Sequence, residues 1–107
     1  MAEPQINVAG EQPKDMPKFM ELMDNGFYLV HTEKDGDFLL KDANWGSIES
    51  IYGNKGLTNR ETSALICRSL VKPELGELDL AEKKGSTVFR LQKAVMYIYD
   101  MKDFLSE

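Results

Sequence analysis

Few residues in this chain are of a type able to do covalent or metal chemistry. His31 is the only histidine and Cys67 the only cysteine. A catalytic imidazole needs a nucleophile or a carboxylate beside it, and the sequence around His31 sets none in place. One His and one Cys far apart in sequence do not make a zinc site without carboxylates, and one Cys forms no internal disulfide. Cys67 falls in an apolar run with Ala64, Leu65 and Ile66, where a buried, inert thiol is expected. Asp35 and Asp37 flank Gly36, but their spacing does not continue to the final Glu of a calcium loop. The glycines around Lys55 do not build the Gly-x-x-x-x-Gly-Lys phosphate cradle. No metal or cofactor is implied, and the chain reads as a non-enzymatic binding module.

Binding chemistry is what charge and aromatic residues supply. The net charge is −5, distributed unevenly. Residues 1–53 carry 4 Lys against 10 Asp and Glu, a balance of −6, whereas residues 54–107 carry 9 Lys and Arg against 8 acids, a balance of +1. An acidic half is repelled by phosphate backbones at long range and attracted to a basic protein surface. Glu33, Asp35 and Asp37 cluster at one predicted turn and are the candidate contacts for such a partner. Trp45, the only tryptophan, joins them as a candidate anchor, although a lone tryptophan in a small domain more often closes the core. Surface acids also serve solubility alone.

The elements that must position these residues follow from periodicity. Residues 1–13 hold Pro4, Gly10 and Pro13, show no period, and are expected to form a disordered tail before a single domain over 14–107. Asp15 suits a helix cap, and Met16, Phe19, Met20 and Met23 share one helical face that Asn25-Gly26 would end. Residues 27–41 read as one β-hairpin about Asp35-Gly36, with Tyr28 and Val30 on one face and Phe27, Leu29 and His31 on the other. Trp45, Ile48 and Ile51 suggest a short helix over 44–52.

Thr58-Asn59-Arg60-Glu61 matches a capping box, and the helix it opens runs to Lys72-Pro73. A second helix is expected over 74–84, closed by Gly85. A third runs over 87–105, capped by Ser86 or Thr87, with Leu91, Ala94, Val95, Ile98, Met101 and Leu105 as its apolar stripe. Val88, Phe89, Met96 and Phe104 widen that stripe, which fits either a central helix or a homodimer contact through its flank. The alternation of residues 86–92 also leaves a strand open. The expected class is α+β, mostly helical: an N-terminal helix, one hairpin, and a C-terminal three-helix segment ending in a long helix.

The Leu57-Thr58-x-Arg60-Glu61 opening resembles the start of the LuxR-type helix-turn-helix domain. Leu80-Ala81-x-x-x-Gly85, followed by Leu91 and Ala94, is similar to the general helix-turn-helix pattern; Lys84 and Ser86 stand where apolar residues usually seal the turn. The resemblance spans at most residues 57–99. It implies a DNA-binding regulator, with Ala81 allowing close helix approach and Gly85 taking the tight turn. It also implies that Arg90, Gln92, Lys93 and Thr87 face DNA, Arg90 and Gln92 on base edges and Lys93 on phosphate. The expected partner is therefore DNA or a basic protein. The longest apolar run is far short of a bilayer span, and no signal-peptide pattern opens the chain, so the expected location is cytoplasmic.

Overall fold

The computed structural model describes residues 8–51 and 58–99. Four strands form one antiparallel sheet in the order β1-β2-β3-β4: β1 Met20–Leu22, β2 Tyr28–His31, β3 Asp37–Leu40 and β4 Leu70–Lys72. Four helices accompany it: α1 Trp45–Ile48, continued by a 3-10 turn over Glu49–Ile51, α2 Asn59–Ser69, α3 Glu77–Ala81 and α4 Gly85–Ile98.

The class is α+β, but its expected arrangement is overturned. Among the described residues no helix precedes the sheet and the hairpin is not isolated; three strands precede the first helix and a fourth joins the sheet after α2. The methionine-rich stretch read as a helix instead makes β1. Pro13 and Pro17 punctuate it with turns, Met16 N donating to Pro13 O and Met20 N to Pro17 O. Met20 then pairs with Val30, Glu21 with Leu29 and Leu22 with Tyr28, so Met20 points into the core while Glu21 points out. Short apolar segments satisfy both a period of two and part of a period of 3.6, and pairing decided this one. Gly26 has the expected positive φ of 89°, yet it closes a strand–strand turn, with Asn25 Oδ1 accepting from Phe27 N at 3.0 Å.

Residues expected in the tail lie along the sheet edge. Val8 bridges to Met23, and Ala9 N donates to Leu22 O at 2.8 Å. The Gln12 side chain accepts from Leu22 N and donates to Leu22 O, a substitute for a neighbouring strand at this edge.

The hairpin itself is as its residues suggest. Val30 faces Phe38 and Tyr28 faces Leu40 on the core side, while His31 faces Asp37 on the other side. Gly36 sits at φ 78°, where any Cβ is strained. The α2 capping box forms as read: Thr58 Oγ1 accepts from Glu61 N at 3.2 Å and Glu61 Oε1 accepts from Thr58 N at 3.0 Å. The helix ends earlier than expected. Leu70 is already extended and pairs with Leu40, and Lys72, directly before Pro73, is held away from helical geometry.

Helices and sheet meet over Val30, Leu40, Leu65, Ile66, Leu91, Ala94 and Val95, all fully buried. Each Val, Leu or Ile among them contributes about 1.5 to 3 kcal/mol by leaving water, and the Ala94 methyl about 0.8 kcal/mol. α4 packs against both α2 and β2 and is fastened near both ends. At its C-terminal end Tyr99 Oη accepts from Ala43 N at 2.9 Å and meets Ser69 Oγ at 2.7 Å. Tyr97 stacks edge-on against Tyr28 at 6.3 Å between centroids and donates to Asp15 at 3.1 Å.

The expected tight corner at Gly85 is not what the chain forms. α3 covers only Glu77–Ala81, and Gly85 is the first residue of α4, without positive φ and with no atom within 4 Å of where a Cβ would sit. Ala81 is exposed, and Leu80 fills the core in its place. Residues 86–92 are helical. The connector around Lys55, the Leu57 of the LuxR-like opening, and Met101, Phe104 and Leu105 of the long-helix stripe lie outside the described residues.

Candidate functional site

The sheet brings three side chains into a row that the sequence does not announce. Glu21 on β1, His31 on β2 and Asp37 on β3 point away from the helices, because each alternates with a core residue: Met20, Val30 and Phe38. His31 Nε2 meets Glu21 Oε1 at 2.5 Å, and His31 Nδ1 meets Asp37 Oδ1 at 2.9 Å. The imidazole is thus flanked by carboxylates, one on each ring nitrogen, against the expectation that no carboxylate stands beside it. The side chains are partly open to water, His31 37%, Glu21 36% and Asp37 54% exposed. The hydrogen bond to Glu21 raises the His31 pKa above its ordinary 6.5; partial burial opposes it, and the bond to Asp37 with the charges of both acids adds to the rise.

The ring nitrogens point in opposite directions, so the two carboxylates cannot converge with either nitrogen on one metal ion. Among the described residues no three His, Cys, Asp or Glu side chains gather as a metal would require. The hydrogen bonds of the ring go to these two acids and to no hydroxyl or thiol. What the arrangement does chemically is hold a proton and present negative charge.

The candidate residues near the turn are drawn together with those of α4. Asp35 Oδ2 accepts from Lys84 N at 3.1 Å and from the Thr87 hydroxyl at 2.5 Å. The hairpin therefore supplies the N-terminal cap that α4 lacks in its own sequence, with a carboxylate at the positive end of the helix. The Thr87 hydroxyl, the Lys84 amide and the charges of Lys83 and Lys84 hold the Asp35 carboxyl below its ordinary 3.8. Thr87 is buried, only 1% exposed. Arg90 donates from Nη1 to His31 O at 2.8 Å and from Nη2 to Glu33 Oε1 at 3.3 Å, and its guanidinium lies 5.2 Å from the Phe19 ring centroid. Gln92 is half-buried and Lys93 exposed.

Glu33 is 72% exposed beyond its contact with Arg90. Trp45 is not brought to this cluster. It follows β3 on the side away from the turn, and at 60% exposure it does not close the core. Cys67 is half-buried, its thiol pushed up by burial and by Glu77 and Asp79. A cleft of about 330 Å³ between the 3-10 turn and α2, lined by Ser50, Ile51, Arg60, Glu61, Ala64, Arg68 and Glu77, shares no residue with the hairpin.

Part of this constellation was within reach of the sequence. With the turn centred near Lys34, strand register alone sets His31 opposite Asp37. Glu21 joins them only through β1, whose residues carry a helical period in sequence, and the Asp35–Thr87 and Arg90–His31 contacts join residues 52 and 59 positions apart. No described helix is long and apolar enough to cross a membrane. No family model, no curated protein and no solved structure matches this chain.

Proposed function

We propose that the protein is a non-enzymatic binding module whose acidic hairpin receives a basic protein surface. The observation that carries this reading is the division of labour around the turn. Arg90 and Thr87, which a DNA-binding reading needs facing outward, are engaged with His31, Glu33 and Asp35 of the hairpin. Glu33 and Asp37 meanwhile remain largely open to water at the tip. Exposed acids on a paired, rigid hairpin steer an oppositely charged partner and fix its register at little ordering cost. A cytoplasmic location belongs to the same proposal.

The test uses the full chain, immobilised, against a panel of synthetic Lys/Arg-rich peptides and, in parallel, pooled duplex DNA fragments. The native chain is expected to retain a subset of the peptides with steep salt dependence and to retain no DNA at moderate salt. Charge reversal at both Glu33 and Asp37 should weaken peptide retention at least about tenfold, the scale of two favourable charge contacts. Retention of DNA lost on Lys93→Glu would overturn the proposal in favour of the helix-turn-helix reading. Peptide retention indifferent to the charge reversal would also overturn it.

A further inference from the structure

We propose that Glu21, His31 and Asp37 form a pH-gated clasp. With the imidazole charged, it ties β1 and β3 together across β2; with the imidazole neutral, it lets go of one of the two carboxylates. The proposal goes beyond the binding reading and stands whatever the partner is.

The geometry leads there directly. A charged imidazole carries two N–H donors and no acceptor, and a neutral one carries one donor and one lone pair. Both ring nitrogens here face a carboxylate oxygen, at 2.5 Å and 2.9 Å. Only the charged ring satisfies both contacts, and each is then a charge-assisted bond. Loss of the proton turns one contact into a lone pair facing an anion at hydrogen-bond distance, so that carboxylate must swing away. Glu21 belongs to β1 and Asp37 to β3, strands that do not pair with each other, so their side-chain link runs through this ring.

The charged groups around the ring are accounted for on every element that touches it. β1 contributes Glu21 and β3 contributes Asp37. α4 contributes Arg90, whose guanidinium binds the His31 carbonyl oxygen and is shared with Glu33 of the turn. The adjacent backbone contact, His31 N to Phe19 O at 2.8 Å, ties β2 to the residue preceding β1 at the same level. It is the bond whose protection reports the clasp.

The sign follows from linkage. The His31 pKa in the folded chain is raised above the ordinary 6.5, so its stabilising contribution is complete below about pH 6.5 and is lost as the pH rises through the folded value. Because two partners are more than one-third exposed, water and salt reduce the size of the effect without reversing it.

His31 is the only histidine, so its ring signals in an NMR titration of the full chain need no assignment by mutation. Three results are expected together. The ring titrates with a midpoint above 6.5. The side-chain carboxyl signals of Glu21 or Asp37 shift with that same midpoint. The intrinsic protection of the His31 amide, corrected for base catalysis, falls as the pH passes that midpoint. Glu21→Gln should bring the ring midpoint down, because it removes the largest cause of the rise. Asp37→Asn provides a second, independent removal should the first variant fold poorly. A ring midpoint at or below 6.5 in the native chain would sink the proposal, as would carboxyl signals that ignore the ring's titration. So would a midpoint unmoved by both variants.

Discussion

Arg90 is the residue on which structural and DNA-contact roles make opposite demands, and Arg90→Met separates them. Methionine keeps an unbranched apolar stem and removes the guanidinium that lies over Phe19. A charged donor on the His31 carbonyl at 2.8 Å contributes about 1.5 kcal/mol, the low end because the arginine is 29% exposed. The cation over the Phe19 ring at 5.2 Å adds about 0.5 kcal/mol. The contact with Glu33, at 3.3 Å to a side chain 72% exposed, adds close to nothing. The expected loss is therefore about 2 kcal/mol. With a urea slope of about 1 to 1.5 kcal/mol per molar for a domain of this size, the unfolding midpoint should fall by roughly 1.5 M at unchanged slope. Lys93→Ala is the control: the side chain is exposed, and the expected change is within about 0.5 kcal/mol. An Arg90→Met protein as stable as the native one, to within about 0.5 kcal/mol, would refute the structural assignment and free Arg90 for an external ligand.

Three further substitutions test how the ends of α4 and the hairpin are held. The Tyr99 hydroxyl accepts from Ala43 N at 2.9 Å, donates to Lys41 O at 3.4 Å and lies 2.7 Å from Ser69 Oγ, which itself donates to Leu65 O at 2.8 Å. Tyr99→Phe orphans the Ala43 amide and should cost about 1 to 2 kcal/mol in urea unfolding, most of which should remain when Ser69 is alanine already, because the amide loses its partner in either background. The Asp35 pKa is lowered in the folded chain by Thr87 and Lys84, so the stability it contributes is present above its ordinary 3.8 and lost as the pH falls through the folded value. In Asp35→Asn the urea midpoint should lose that acid-side dependence while falling at neutral pH, and an unchanged acid limb would contradict the capping role. Gly36→Ala at φ 78° should lower the thermal midpoint by the several degrees that correspond to about 1 kcal/mol, and no change would mean that the turn adopts another geometry.

Local chemistry made part of this structure legible. The Thr58–Glu61 capping box, the hairpin with Gly36 at its turn, and the inward Val30 of β2 each depend on residues within a few positions of one another, where side-chain type and backbone geometry are directly coupled. Charge counts marked the first half of the chain as the acidic one, and the single His and Cys bounded the covalent chemistry.

Competition between distant segments decided the rest. Residues 16–23 carry apolar side chains that suit either period, and the open edge of β2 drew them into a strand. Leu70–Lys72 left its helix because β3 offered a partner and Pro73 forbade continuation. Thr87 and Arg90, suited by type to an external anion, became internal fastenings only because the turn carrying Asp35, Glu33 and the His31 carbonyl arrives beside α4. A residue's period and charge are properties of its neighbourhood in sequence. Which groups neutralise it is a property of where the chain returns, and in Glu21, His31 and Asp37 that return placed a proton-binding ring between two acids from separate strands.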